Sequence, residues 1–366
     1  MIYSIKIAKD FSMVDWNELR PTLLYSKGNW PLAIQVFEDR MNSRFINPIE
    51  KIKSIDKKEG EGFSIALISV VLIEFLAAFE FGKIYKVHKE GLAPHEYYSG
   101  IALLKSFFRS VDLFSKHFES NNKVQRFYEN IRCGLVHEAR TMGNDVIISN
   151  ESNKNTSPHL MYFKENEEWR LNRDLMLETI KAFGANYKER LLIDEFSLRK
   201  KFILKMDDIA GLNHVWYFIY GSNLYEEQLK NRLITLHEDY LQKEKCSLQG
   251  YDFTYNKRSK DGSSKGNILK MENGIVEGIA ILILDYKLDE FIKRWESGYV
   301  KTEVQIQTDI DIKKKNSFIF KAYTCISDDL TSAPPTNEYV LKIIKGAYEH
   351  NLTQEYIDNR LSYTKQ

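Results

Sequence analysis

Tyr217-Phe218-Ile219-Tyr220-Gly221-Ser222-Asn223-Leu224 is an apolar strand that breaks into a Gly-Ser-Asn turn. An abrupt turn of this kind points several backbone N–H groups at one spot and makes a cradle for an anion. Downstream the texture is that of alternating strands, as in Ile275–Ile283 and Lys301–Gln307, with a closing helix from about Asn337 to His350. Upstream it is helical. Apolar residues recur at three- and four-residue spacing over about 63–87, 97–118, 123–142 and 172–192. Between the last two, Asp145–Ser149 and His159–Phe163 flank the polar stretch Asn150–Pro158, which reads as a small hairpin. Asp194–Asn213 is charged and amphipathic, without the Gly, Ser or Pro of a loose tether, and the boundary is placed near 205–212. The expectation is an α+β chain with a helical domain over 1–205 and a β-rich domain over 212–366.

The bulk numbers narrow the classes. A chain of 366 residues with 43% hydrophobic content buries a substantial core. Fifty-two basic against fifty-one acidic residues leave a net charge of +1, so no global field draws it to nucleic acid or an anionic membrane. The runs Arg199-Lys200-Lys201 and Lys313-Lys314-Lys315 read as solvated faces or loops. Cys133, Cys246 and Cys325 are far apart with no CxxC pair, and the eight histidines form no HxxxH or HExxH spacing. Neither a metal site nor a disulfide framework is expected, and a reducing cytoplasm fits. No Walker or GxGxxG loop calls for a nucleotide cofactor. Met1–Ile7 lacks the pattern of a signal peptide and reads as a short strand. Phe63–Phe79 is at the short end of the ~17–25 residues that cross a bilayer and carries Glu74, so it reads as a buried core helix, and no membrane partner is expected.

Two more segments complete a pattern with the Tyr220-Gly221-Ser222 turn: Phe253–Ile268, with Asp261-Gly262-Ser263-Ser264-Lys265-Gly266-Asn267, and Thr331–Tyr339, with Ala333-Pro334-Pro335. From about Val215 to Leu361 the chain resembles the gamma-glutamylcyclotransferase (AIG2-like) family. The resemblance implies a small mixed β-barrel that releases 5-oxoproline from gamma-glutamyl compounds. It also implies that Tyr217, Phe218, Ile219, Tyr220, Gly221 and Ser222, with Asn223 beside them, hold the ligand, that Tyr339 contacts it, and that Ser263, Asn267 and Tyr299 shape the pocket wall. The family's proton-shuttling glutamate falls on Ile292, in Leu288-Asp289-Glu290-Phe291-Ile292-Lys293-Arg294-Trp295-Glu296. Isoleucine moves no proton. Glu296 lies one helical turn, about 5 Å, further on. The first reading is therefore a pocket that binds a gamma-glutamyl-like ligand or a protein partner without turning it over. The alternative is an active cyclotransferase with Glu296 as the displaced base.

In the helical half, Arg132-Cys133-Gly134-Leu135-Val136-His137 resembles the Arg-x4-His motif of the HEPN superfamily of helical bundles. That resemblance implies a homodimer in which paired motifs form a metal-independent ribonuclease site, His137 moving a proton at the ribose 2′-OH and Arg132 stabilising the phosphate. RNA is then the substrate, and a toxin or anti-phage effector the setting. An inactive dimerisation bundle is the competing reading, with the helical domain an oligomerisation module.

Overall fold

The computed structural model describes the chain except for residues 1–4, 25–27, 56–59, 151–158, 165–167, 194–195, 309–316 and 364–366. Part of the strand expected at the start, the polar stretch after Asn150 and the lysine run at 313–315 lie outside the described residues. The chain divides into two units, Met1–Tyr85 with Tyr97–Gly211, and Lys86–Glu96 with Leu212–Gln366.

In the first unit a capping box starts the helices: Ser12 Oγ accepts from the Asp15 N–H at 3.3 Å, and Asp15 accepts from the Ser12 N–H at 2.7 Å. It opens α1 (Met13–Leu23), followed by α2 (Trp30–Met41), α3 (Asn47–Lys53) and α4 (Glu61–Phe81). The first three precede the helical segments expected from periodicity. α4 stops at Gly82, whose φ of 60° ends the segment expected to reach 87. The segment expected over 97–118 breaks at Val111, where extended backbone separates α5 (Gly100–Ser110) from the short turn Asp112–Ser115. The third begins as α6 (Asn121–Arg126), widens into a π-turn over Phe127–Cys133 and ends as α7 (Gly134–Glu138), because Ala139 turns left-handed at φ 53°.

The hairpin is a different structure. β1 (Asp145–Ile148) and β2 (Met161–Lys164) do not pair with each other; each pairs with a third strand, β3 (Glu168–Asn172), β1 in parallel and β2 antiparallel. The Glu-Trp-Arg-Leu-Asn run of β3 alternates polar and apolar residues over its five positions, a short strand signal that the expected two-stranded hairpin leaves out. Asn172 then caps α8 (Arg173–Leu192), and α9 (Phe196–Ile209) follows.

Phe37, Phe79, Tyr187 and Phe202, from α2, α4, α8 and α9, pack with ring centroids between 5.0 and 6.4 Å apart. Beside this cluster the fully buried Asp207 carboxylate accepts from Trp16 Nε1 and Arg20 Nε, each at 2.7 Å. α4 is long and apolar enough to cross a membrane, with mean hydropathy 2.3 in its most apolar window, of which 56% is buried inside the protein. Its Glu80 is bound by both terminal nitrogens of Arg190 at 2.9 and 3.0 Å. Arg199, expected on a solvated face, is buried, with its guanidinium 4.4 Å from the centre of the Trp30 ring and its Nε donating to the Leu191 carbonyl.

The second unit is a closed five-stranded barrel built from β4 (His214–Ile219), β5 (Gln242–Arg258), β6 (Ser264–Leu284), β7 (Val300–Thr308) and β8 (Ile319–Ile326), in the order β6-β4-β8-β7-β5. β6 is long enough to serve two neighbours: Ile279–Leu284 pair with β4, while residues along its length pair with β5. Gly278 allows the close approach of β4, since a Cβ there would stand 2.2 Å from the Ile219 carbonyl oxygen. Helices α10 (Glu226–Ile234), α11 (Asp285–Trp295) and α12 (Asn337–Glu349) follow β4, β6 and the Ala333-Pro334-Pro335 segment. The arm Lys86–Glu96 belongs to this unit, with His95 buried and its Nδ1 accepting from Trp216 Nε1 at 3.2 Å.

Candidate active site at the Gly221–Ser222 turn

β4 is buried from Trp216 to Ile219 and delivers Tyr220 and Gly221 to the end of the barrel. There the chain makes one tight helical turn, Ser222–Leu224, closed by Leu224 N–H to the Gly221 carbonyl at 2.9 Å and Tyr225 N–H to the Ser222 carbonyl at 3.2 Å. The leading amides of such a turn, at Ser222 and Asn223, are the ones it leaves without an internal acceptor.

A narrow pocket of about 30 Å³ opens against this turn, lined by Tyr217, Phe218, Ile219, Tyr220, Gly221, Ser222 and Asn223 and closed by Gly266, Glu296, Tyr299, Cys325 and Tyr339. A volume of this order is room for about two waters. Tyr339 comes from the first turn of α12, held by the Thr336 cap, and its hydroxyl accepts from the Gly266 N–H at 3.0 Å. The Tyr299 hydroxyl donates to the Gly266 carbonyl at 2.5 Å. Gly266 is therefore gripped on both sides, and a Cβ there would press on the Phe253 ring at 3.0 Å. Burial pushes the Tyr339 phenol up to about 12, and those of Tyr217, Tyr220 and Tyr299 well above their usual range. All four keep their protons at neutral pH.

Two expected wall residues do not line the pocket. Asn267 is fully buried behind it, its Nδ2 donating to Asn256 Oδ1 and the Ser327 carbonyl and its Oδ1 accepting from the Ser327 N–H, at 3.0, 2.8 and 3.0 Å. It clamps β6 to the residue after β8 and, fully buried, is not presented to a ligand. Ser263 spends its hydroxyl on Asp261 Oδ1 at 2.6 Å.

Ile292 is half-buried and absent from the lining. Glu296 is the carboxylate that faces the turn. Counting in helical turns misplaces it because α11 ends at Trp295: Glu296 has left helical geometry at φ −110° and ψ 45°, while its N–H still donates to the Ile292 carbonyl at 2.9 Å. The side chain is 13% exposed, with Oε1 accepting from Asn223 Nδ2 at 2.6 Å and in ion-pair contact with Arg232 Nη1 at 3.8 Å. Burial raises its carboxyl above the usual range; Arg232, the Asn223 amide, Lys257 and Tyr217 pull it back.

Cys325 and Arg232 were not legible in advance. Cys325 sits in an ordinary strand, with its carbonyl taking the Tyr220 hydroxyl and its thiol pushed up by burial. Arg232 has no sequence signal beyond helical spacing from Gln228, the residue whose amide bonds the Ser222 carbonyl and hydroxyl. Among the described residues no group of three or more His, Cys, Asp or Glu could hold a metal ion.

In the helical unit Arg132 and His137 part ways. Five residues on a helix turn by roughly 140° beyond a full turn, so the two do not share a face. Arg132, in the π-turn, points inward: its Nε and Nη2 donate to Glu74 Oε2 of α4 at 3.2 and 3.0 Å, and its guanidinium lies 5.5 Å from the centre of the Tyr128 ring. His137 is exposed on the last turn of α7.

No family model and no curated protein matches the chain. Solved structures match its C-terminal part. One described as a gamma-glutamyl cyclotransferase is 22% identical with a TM-score of 0.34, over 42% of this chain and 93% of that one. An uncharacterized protein from Homo sapiens is 22% identical with a TM-score of 0.34, over 42% and 92%. A glutathione-specific gamma-glutamyl cyclotransferase from yeast is 12% identical with a TM-score of 0.32, over 40% and 94%. The likeness is one of fold.

Proposed function

We propose that the barrel unit binds a gamma-glutamyl amine and cyclises it, with Glu296 as the proton carrier. The observation behind this reading is that a buried carboxylate faces the Gly221–Ser222 turn in the same narrow pocket as the protonated phenols of Tyr299 and Tyr339. The turn amides suit the substrate's carboxylate. Held bent, the substrate loses a proton from its α-ammonium to Glu296, and its nitrogen attacks the γ-carbonyl carbon. Glu296 returns that proton to the departing nitrogen as the bond from that carbon to it breaks, the ring nitrogen sheds a second proton to become the lactam N–H, and the amine leaves with that second proton as an ammonium. Products are 5-oxoproline and the free amine. Such proton transfer contributes about 10²–10⁴-fold. Incubating the purified chain with gamma-glutamyl amino acids and gamma-glutamyl amides and assaying 5-oxoproline tests it: turnover cut about 10²–10⁴-fold by Glu296→Gln is expected, and absence of product from every substrate overturns it.

A second reading concerns the helical unit and is favoured by the exposure of His137 at a helix end. Two copies pair there and act on RNA, Arg132 leaving Glu74 to reach the phosphate. RNA cut to cyclic-phosphate ends by the wild type, and spared by His137→Ala, is the expected result; intact RNA with a verified dimer overturns it.

A further inference from the structure

Asn223 stands between two charges. Its Nδ2 donates to Glu296 Oε1 at 2.6 Å, and its Oδ1 accepts from Arg232 Nη1 at 2.6 Å and Gln228 Nε2 at 3.2 Å. An amide oxygen only accepts and an amide nitrogen only donates. The arginine on one side therefore decides which way the amide faces, and so presents its N–H to the carboxylate on the other. Arg232 is itself held, with its guanidinium 5.0 Å from the centre of the ring of Trp295, the residue before Glu296. Its Nη1 lies 3.8 Å from Glu296 Oε1, and the two side chains are 21% and 13% exposed.

We propose that Arg232 is a positioning residue for Glu296, aiming the carboxylate into the pocket through the Asn223 amide and keeping it ionised by its own charge. The inference rests on the reading of Glu296 as proton carrier. Other groups face that carboxylate, and none replaces Arg232. Tyr217 of β4, Tyr220 just after it, Cys325 of β8, Tyr299 and Tyr339 are neutral at neutral pH because burial raises each of them. Lys257 of β5 also pulls the carboxyl down, but its ammonium is spent on the Ser297 carbonyl at 2.9 Å and the Tyr299 ring. Among the described residues Arg232 is the cation in ion-pair contact with Glu296. A carboxylate this buried needs such a neighbour to stay charged, since desolvation favours its protonated form.

Charge and shape are separable here. Arg232→Gln keeps a donor for Asn223 Oδ1 and loses the charge; Arg232→Lys keeps the charge. In full-length protein carrying ¹³Cδ-glutamate, with Glu296→Gln to assign the signal, the Glu296 titration midpoint is expected to rise by about one pH unit in Arg232→Gln, and to stay near wild type in Arg232→Lys. Asn223→Ala, which leaves both charges and removes the bridging amide, is expected to raise it by less. The acid limb of kcat/KM moves with the midpoint. A midpoint unmoved in every variant that retains the wild-type melting transition overturns the proposal. Because the midpoint is read without turnover, the two readings fail separately. A shifted midpoint in a protein that makes no 5-oxoproline sinks the cyclotransferase reading alone, and 5-oxoproline release with an unmoved midpoint sinks this one.

Discussion

At the scale of single residues, the two positions that compete for the proton carrier differ by where α11 stops. Glu296 is destabilising when charged: its carboxyl is raised in the folded protein, so the folded state holds its proton to higher pH than the unfolded chain. Its contribution is fully present below the unfolded carboxylate range and is lost as pH rises through the raised value. Glu296→Gln is therefore expected to melt at a higher temperature than wild type at pH 7, with the difference closing at acid pH, while turnover falls about 10²–10⁴-fold. Melting curves at several pH values check the sign; a variant less stable at pH 7 contradicts it. Placing a carboxylate at 292 by Ile292→Glu is expected to raise turnover not at all, since that side chain lies outside the pocket lining. The sequence shows both residues but not the departure from helix at Glu296, which is a matter of two backbone angles.

At the scale of elements, the pocket is assembled by Gly266 of β6 between Tyr299 and Tyr339. Removing the Tyr339 hydroxyl leaves the Gly266 N–H without its acceptor, a loss of about 1–3 kcal/mol for a buried group. Tyr339→Phe is thus expected to lower both melting temperature and kcat/KM, and chemical denaturation together with 5-oxoproline kinetics measures the two. Gly266→Ala is expected to cost more, because the added methyl meets the Phe253 ring at 3.0 Å. These turn segments were readable because turn chemistry is local: glycine, serine and proline announce themselves within four residues. The partner of a strand is not local. Asp145–Ile148 and Met161–Lys164 are each rich in β-branched or aromatic residues, yet both pair with Glu168–Asn172. Asn267 shows the same limit at a single side chain, since its partners are Asn256 of β5 and Ser327 just beyond the end of β8.

At the scale of the whole molecule, the expectation of a dimer through the helical unit is checked by light scattering of the full chain and of variants at His137. The boundary near Gly211 leaves 86–96 on the barrel side of the division, and no composition shift marks that short arm. Its grip is specific: Trp216, 3% exposed, donates to His95 and packs on Phe320 at 5.2 Å. His95→Ala in the full chain is expected to cost about 1 kcal/mol through the lost bond, read as a lower denaturation midpoint. A fragment beginning at residue 212 is expected to lose the cover over Trp216 and to regain stability when a peptide spanning 86–96 is added.

The arm also sets an order in time. His95 leaves the ribosome 121 residues before the tryptophan that receives it, a wait of roughly 6–24 s at ordinary rates of synthesis. During that interval the growing chain carries a segment whose docking place has not been made. Translation halted before β4 thus yields a protein marked as unfinished by an arm with nowhere to lie.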